Sequence, residues 1–129
     1  MKEKPTLKPS EVISDFLNYV DFAYREYKSA YENVSNEDKS LQDYVHAIEF
    51  SKDKAERNRQ ATALQRSRKY RRTEKDKALL YEELIKFFDD NSNRATLNRM
   101  RQLLGKQRKE EEYIFGSRTY KKRGGGNNG

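Results

Sequence analysis

Apolar side chains recur at steps of three and four from Ile13 onward: Ile13, Phe16, Leu17, Val20, Ala23, Tyr24, Tyr27, Ala30, Tyr31 and Val34. That spacing predicts an amphipathic helix of about six turns, from Ser10 to Asn33. Ser10 stands where an N-cap belongs, and Glu11 complements the positive end of the helix dipole. Pro5 and Pro9 mark residues 1–9 as an extended leader. An aromatic stripe of helical period reads as core rather than as a stacking surface.

Val34-Ser35-Asn36-Glu37-Asp38 predicts a turn, because Ser35 and Asp38 have capping-box spacing. A second helix then presents Leu41, Tyr44, Val45 and Ile48, antiparallel to the first. Continued at helical spacing, this face meets Lys52, Ala55, Arg59, Thr62 and Arg66, while Phe50, Ala61 and Leu64 lie nearly opposite. One straight helix does not bury both faces in one place, so a break is expected at Phe50-Ser51-Lys52, with Ser51 as the new cap. The third helix runs from Lys52 to Asp89 on a seam of Ala63, Ser67, Tyr70, Ala78 or Lys77, Tyr81, Leu84 and Phe88. A competing division at Thr73 rests on the capping-box pattern of Thr73 to Asp76.

Asp89-Asp90-Asn91-Ser92-Asn93 is five short polar residues and predicts a turn. A fourth helix starts near Arg94 and buries Leu97, Met100, Leu103 and Leu104. It ends at Gly105 or continues to Tyr113; both remain open, since Gly suits a C′ position and the following residues are good helix formers. The pattern therefore predicts an all-α protein, an elongated four-helix arrangement of two helical hairpins with one long basic helix. Residues 10–115 form a single helical domain, and residues 116–129 form a basic, then Gly/Asn-rich, disordered tail.

Composition adjusts this picture in two ways. Leu, Ile, Val and Phe make up just under a fifth of the 129 residues, but nine tyrosines supply ring area for a thin core. The net charge of +7 is unevenly spread: residues 1–51 carry −4, residues 52–77 carry +7, residues 78–93 carry −3 and residues 94–129 carry +7. Cysteine is absent, which excludes disulfides and thiolate zinc sites. The N-terminus lacks an apolar signal core and no segment is apolar enough to span a bilayer, so a cytoplasmic location without a membrane partner is expected. The lone His46 has no metal-ligand neighbours at useful spacing, adjacent carboxylates diverge on a helix, and no phosphate loop or cofactor fingerprint is present. Neither catalysis nor a cofactor is expected.

The chemistry concentrates in Arg57 to Arg72, sixteen residues with seven cations and no carboxylate. Arg57, Arg59, Arg66, Arg68, Lys69, Arg71 and Arg72 are candidate phosphate contacts, joined by Arg101, Arg108, Arg118, Lys121 and Lys122 from the C-terminal third. Interleaved Tyr70, Tyr113, Phe115 and Tyr120 offer stacking on unpaired bases. A hairpin of the third and fourth helices would merge the two basic zones. The bland alternative is a solvated face whose long cationic stems cover a thin core. Phe87 to Gln102 also has the outline of a helix-turn-helix presenting Arg94, Asn98, Arg101 and Gln102, although an ordinary helical hairpin has the same outline.

The arginine-rich stretch is similar in composition to the short helical peptides that certain phage antiterminators insert into RNA hairpins. His46-Ala47-Ile48-Glu49-Phe50, the block Arg66 to Arg72, Leu103-Leu104-Gly105-Lys106 with Arg108-Lys109, and Arg118-Thr119-Tyr120 resemble small basic helical proteins of phages and mobile elements of low-GC bacteria. The resemblance spans residues 40–123. It implies a phage or mobile-element origin and a protein that acts by binding, and it transfers no activity or site. The expected function is that of a non-enzymatic nucleic-acid-binding regulator of DNA or RNA. A second expectation is a protein-interaction module that inhibits or adapts a host or bacterial-immunity protein, such as a nuclease. A third is a homodimer through its helix seams.

Overall fold

The computed structural model describes residues 8–116. It contains three helices, α1 (Pro9–Glu49), α2 (Lys54–Asp89) and α3 (Asn91–Phe115). Among the described residues there is no strand, and no helix is long and apolar enough to cross a membrane. The all-α class is as expected; the four-helix count is not. Most of the expected leader and tail lies outside the described residues. Pro9, assigned to the leader, is the first residue of α1, where its missing N–H costs nothing and its fixed φ suits a helix.

The expected turn over Val34 to Asp38 is helical, which fuses the first two predicted helices and removes the first predicted hairpin. No Gly or Pro interrupts that stretch, and its polar side chains find partners that leave the backbone helical. Val34 stays in the buried seam. Ser40 donates its hydroxyl to the Asn36 carbonyl at 3.0 Å, and Glu37 and Asp38 accept hydrogen bonds from α2. Tertiary donors therefore override a capping-box spacing that is only a local preference.

The break falls at residues 50–53, as the change of face requires, but the cap is Asp53 rather than Ser51. Asp53 has extended backbone angles (φ −146°, ψ 177°). Its Oδ1 accepts from Glu56 N–H at 2.8 Å, while Glu56 Oε1 accepts from Lys52 N–H at 3.0 Å. Ser51 instead closes α1, donating to the Ala47 carbonyl at 2.6 Å. From Lys54, α2 passes Thr73 without interruption, because the Thr73 hydroxyl turns back to the Lys69 carbonyl at 3.1 Å. Of the five residues expected in the last turn, only Asp90 is extended (φ −64°, ψ 131°). Asn91 opens α3, which follows the longer of the two C-terminal expectations and runs through Gly105 to Phe115.

A Cβ added at Gly105 meets nothing within 4 Å. A mid-helix glycine carries excess unfolded-state entropy, so Gly105→Ala is expected to stabilise the protein by about 1 kcal/mol. A thermal melt should move up by a few degrees, and no change or a fall would show that α3 ends earlier.

The chain forms two compact units, residues 19–90 and residues 8–18 with 91–116 among those described. In the first, α1 and α2 run antiparallel. Tyr24 donates to Asp89 at 3.0 Å, Tyr31 to Glu82 at 3.3 Å and Asn33 to Glu74 at 2.8 Å. Val20, Ala23, Ala30, Val34, Ala78, Ile85 and Phe88 are its buried apolar residues. The α2 seam keeps a heptad, Ser67–Glu74–Tyr81–Phe88 alternating with Arg71–Ala78–Ile85. Tyr70, expected on this seam, is exposed. The expectation followed helical spacing, whereas at this level the seam is filled by Ser67, Arg71 and Glu74, which bond to α1.

In the second unit the first turns of α1 pair antiparallel with α3, and Leu17 and Leu97 are its buried apolar residues. Glu111 is buried there, and it accepts the Ser10 N–H at 2.8 Å, the Ser10 hydroxyl at 2.5 Å and the Gln107 amide at 3.0 Å. A carboxylate from α3 thus satisfies the open N-terminus of α1. Burial pushes the Glu111 pKa up, but the hydrogen bonds from Ser10 and Gln107 outweigh it and hold the carboxyl below its usual range. Glu74 is lowered as well, chiefly by the Asn33 amide. Groups with depressed folded pKa values stabilise the fold above the ordinary carboxylate value of about 4.3 and lose that contribution as pH falls through the folded value. Melting temperature should therefore drop as pH is taken from about 5 to about 3. Glu111→Gln should flatten part of that drop; a variant with the same acid profile would refute the assignment.

Candidate nucleic-acid interface

The seam fixes which way each cation of α2 points. Ser67 donates to Glu37 Oε1, Arg71 Nε donates to Asp38 Oδ1 at 2.6 Å, and Arg68 Nη2 donates to the Glu37 carbonyl at 3.0 Å. Arg68 and Arg71 therefore face α1. Hydrogen bonding to Arg71 is the main reason the Asp38 carboxyl lies below its usual range, and the same bond raises Arg71. The Arg68 Nε is buried without an acceptor among the described residues. These two arginines, expected as phosphate contacts, tie α2 to α1 through Glu37 and Asp38.

The other five cations of the stretch, Arg57, Arg59, Arg66, Lys69 and Arg72, are exposed, and no side-chain hydrogen bond or ion pair engages them among the described residues. At about 100° per residue they surround the part of α2 turned away from α1. Arg59 and Arg66, seven apart, share one flank, and Arg57 lies on the other. Lys69 and Arg72 lie near the outermost line, which continues towards the N-terminus through Gln65, Thr62 and Asn58. The side chains of Asn58 and Gln65 are exposed and make no hydrogen bond among the described residues. Asn58, Arg59, Thr62 and Arg66 line a shallow depression of about 350 Å³. Sequence reasoning passed over this polar line because it sought cations and rings. The heptad of the seam, Ser67 to Phe88, is the signal that would have revealed it as the opposite face.

Arg101 and Arg108 lie on α3, seven residues apart on one face. Arg101 donates to the Asn98 side chain at 2.8 Å and Arg108 to the Ser14 hydroxyl at 3.4 Å. The Asn98 side-chain oxygen thus accepts within its own helix. Between α2 and α3 the single extended residue Asp90 replaces the three- to four-residue turn of a helix-turn-helix. Arg118, Lys121 and Lys122 lie outside the described residues. His46 is exposed on α1 and packs edge-on against Phe50, ring centroids 6.3 Å apart. No group of three or more His, Asp or Glu side chains suited to a metal ion occurs among the described residues.

What this face can do follows from its chemistry. Exposed guanidinium forks donate paired hydrogen bonds to phosphate oxygens, and the stretch from 57 to 72 carries no carboxylate of its own. Comparison of the chain with protein-family models, with curated proteins and with solved structures finds no match.

Proposed function

We propose that the protein binds nucleic acid without catalysing a reaction, as a phage or mobile-element regulator, through the outward face of the first half of α2. One observation carries this: five cations within an acid-free stretch are exposed, with no hydrogen-bond or ion-pair partner for their side chains among the described residues. Salt-bridged arginines are a structural expense already accounted for by Arg68 and Arg71, and the remaining five have no such use. Five phosphate contacts on a duplex correspond to a salt slope of about −4.5 in log affinity against log salt. Fluorescence anisotropy of a labelled 20-base-pair duplex between 50 and 300 mM salt measures that slope. Failure to bind duplex, single strand or RNA hairpin at 50 mM salt would sink the proposal.

A second function, docking on a host or bacterial-immunity protein, is favoured by a different observation. Phe50, Leu80 and Phe87 expose 75%, 73% and 56% of their surface, which is much apolar area for a charged helical protein. Capture of one stoichiometric protein that survives nuclease treatment would favour it over nucleic-acid binding.

A further inference from the structure

Phosphate contacts alone give affinity without sequence preference, and the outermost line of α2 holds more than cations. We infer that α2 enters the major groove of duplex DNA, with Asn58, Thr62 and Gln65 facing base edges and the arginines on its flanks facing the two phosphate walls. The inference rests on the nucleic-acid function proposed above and names its substrate class.

Three features of the geometry support it. Asn58 and Gln65 are seven residues apart on one line, about 10.5 Å along the helix axis, close to three base-pair steps of about 3.4 Å each. Each is a primary amide whose donor and acceptor are not engaged among the described residues, the pair of groups that adenine matches with its N7 and N6 in the major groove. Between them, Thr62 donates its hydroxyl to the Asn58 carbonyl at 2.9 Å. That bond takes up its hydroxyl proton, and its methyl group is of the kind that suits a thymine methyl.

The flanks complete the fit. Arg57 lies on one side of this line, and Arg59 and Arg66 lie on the other, so cations face both walls of a groove. A helix about 10–12 Å across with its side chains fills a major groove about 12 Å wide. Within this unit α1 packs on the opposite side of α2, through Ser67 and Arg71, and leaves the reading line open. The same face does not suit duplex RNA, whose major groove is too deep and narrow for side chains to read.

The test is selection from a duplex library randomised over twelve central positions, at 150 mM salt with bulk competitor. Enrichment of A·T pairs at two positions three steps apart is the expected result. Affinity for the selected duplex over a scrambled one, measured by mobility shift, should fall about tenfold in Asn58→Ala and again in Gln65→Ala, within the range of a lost bidentate base contact. Both positions are exposed, so circular dichroism should show unchanged helicity. Salt-dependent binding with no enriched sequence would overturn the base reading and leave the phosphate-binding function standing. Tighter binding to an RNA hairpin than to any selected duplex would overturn it as well. No binding to any nucleic acid would remove the function on which it rests.

Discussion

Arg59→Glu combined with Arg66→Glu should weaken binding to a generic duplex by about a thousandfold at 0.1 M salt. Each lost phosphate contact removes a counterion-release term of about 0.9 in log affinity per decade of salt, or about eightfold at that concentration. Two lost contacts give about sixtyfold, and the repulsion from two new carboxylates facing phosphates supplies the rest. The salt slope should flatten by about 1.8 at the same time, which separates an electrostatic loss from general damage. Both arginines are exposed and their side chains have no hydrogen-bond or ion-pair partner among the described residues, so thermal stability should change by no more than about 0.5 kcal/mol. Unchanged affinity in this double variant would remove the α2 face from the interface.

The choice of positions matters more than the number of charges changed. A substitution of Arg68 and Arg71, the centre of the basic block in the sequence, would give an uninterpretable loss. Arg71→Glu sets a carboxylate against Asp38 and removes the 2.6 Å ion pair that ties α2 to α1 there. The hairpin would loosen, and weakened binding would follow from unfolding. Reading the seam first separates structural cations from available ones.

Much of the architecture was legible because helical periodicity is a strong signal: the all-α class, the break after Phe50, the uninterrupted α2 and a C-terminal helix that passes Gly105. What misled was local polar chemistry. Val34 to Asp38 carries turn-forming residues, yet Ser67 and Arg71, some thirty residues later, supply donors that make a helix the better solution. Asn91 to Asn93 are poor helix formers absorbed into the first turn of α3, where short polar side chains suit unpaired N–H groups. The candidate site was legible in composition and not in orientation. Sequence placed seven cations together, but which two turn inward depends on a seam that includes Arg71 and Glu74, residues no hydropathy pattern places there.

That seam makes the second large prediction. Ile85 is 4% exposed, and it is one of few large apolar side chains in a unit whose buried set includes Ala23, Ala30 and Ala78. Ile85→Ala should destabilise the protein by about 3 kcal/mol, the transfer and cavity terms together, and lower the melting temperature by about 10 °C. By contrast, Leu64→Ala, at a half-buried position near the α1–α2 connection, should cost under about 1 kcal/mol. The difference reflects where the core lies: among the described residues from 35 to 66, none is buried. Amides of residues 55–62 should therefore exchange through local opening, at rates that Ile85→Ala leaves largely unchanged, while those of residues 78–88 should follow global unfolding and speed up in the variant. If Ile85→Ala melts within 2 °C of the parent, the heptad seam is misassigned, and with it the outward direction of Asn58 and Gln65. If the seam holds, the arginines sit on the least tightly packed part of the α1–α2 pair, and bound duplex should slow exchange there more than anywhere else in the chain.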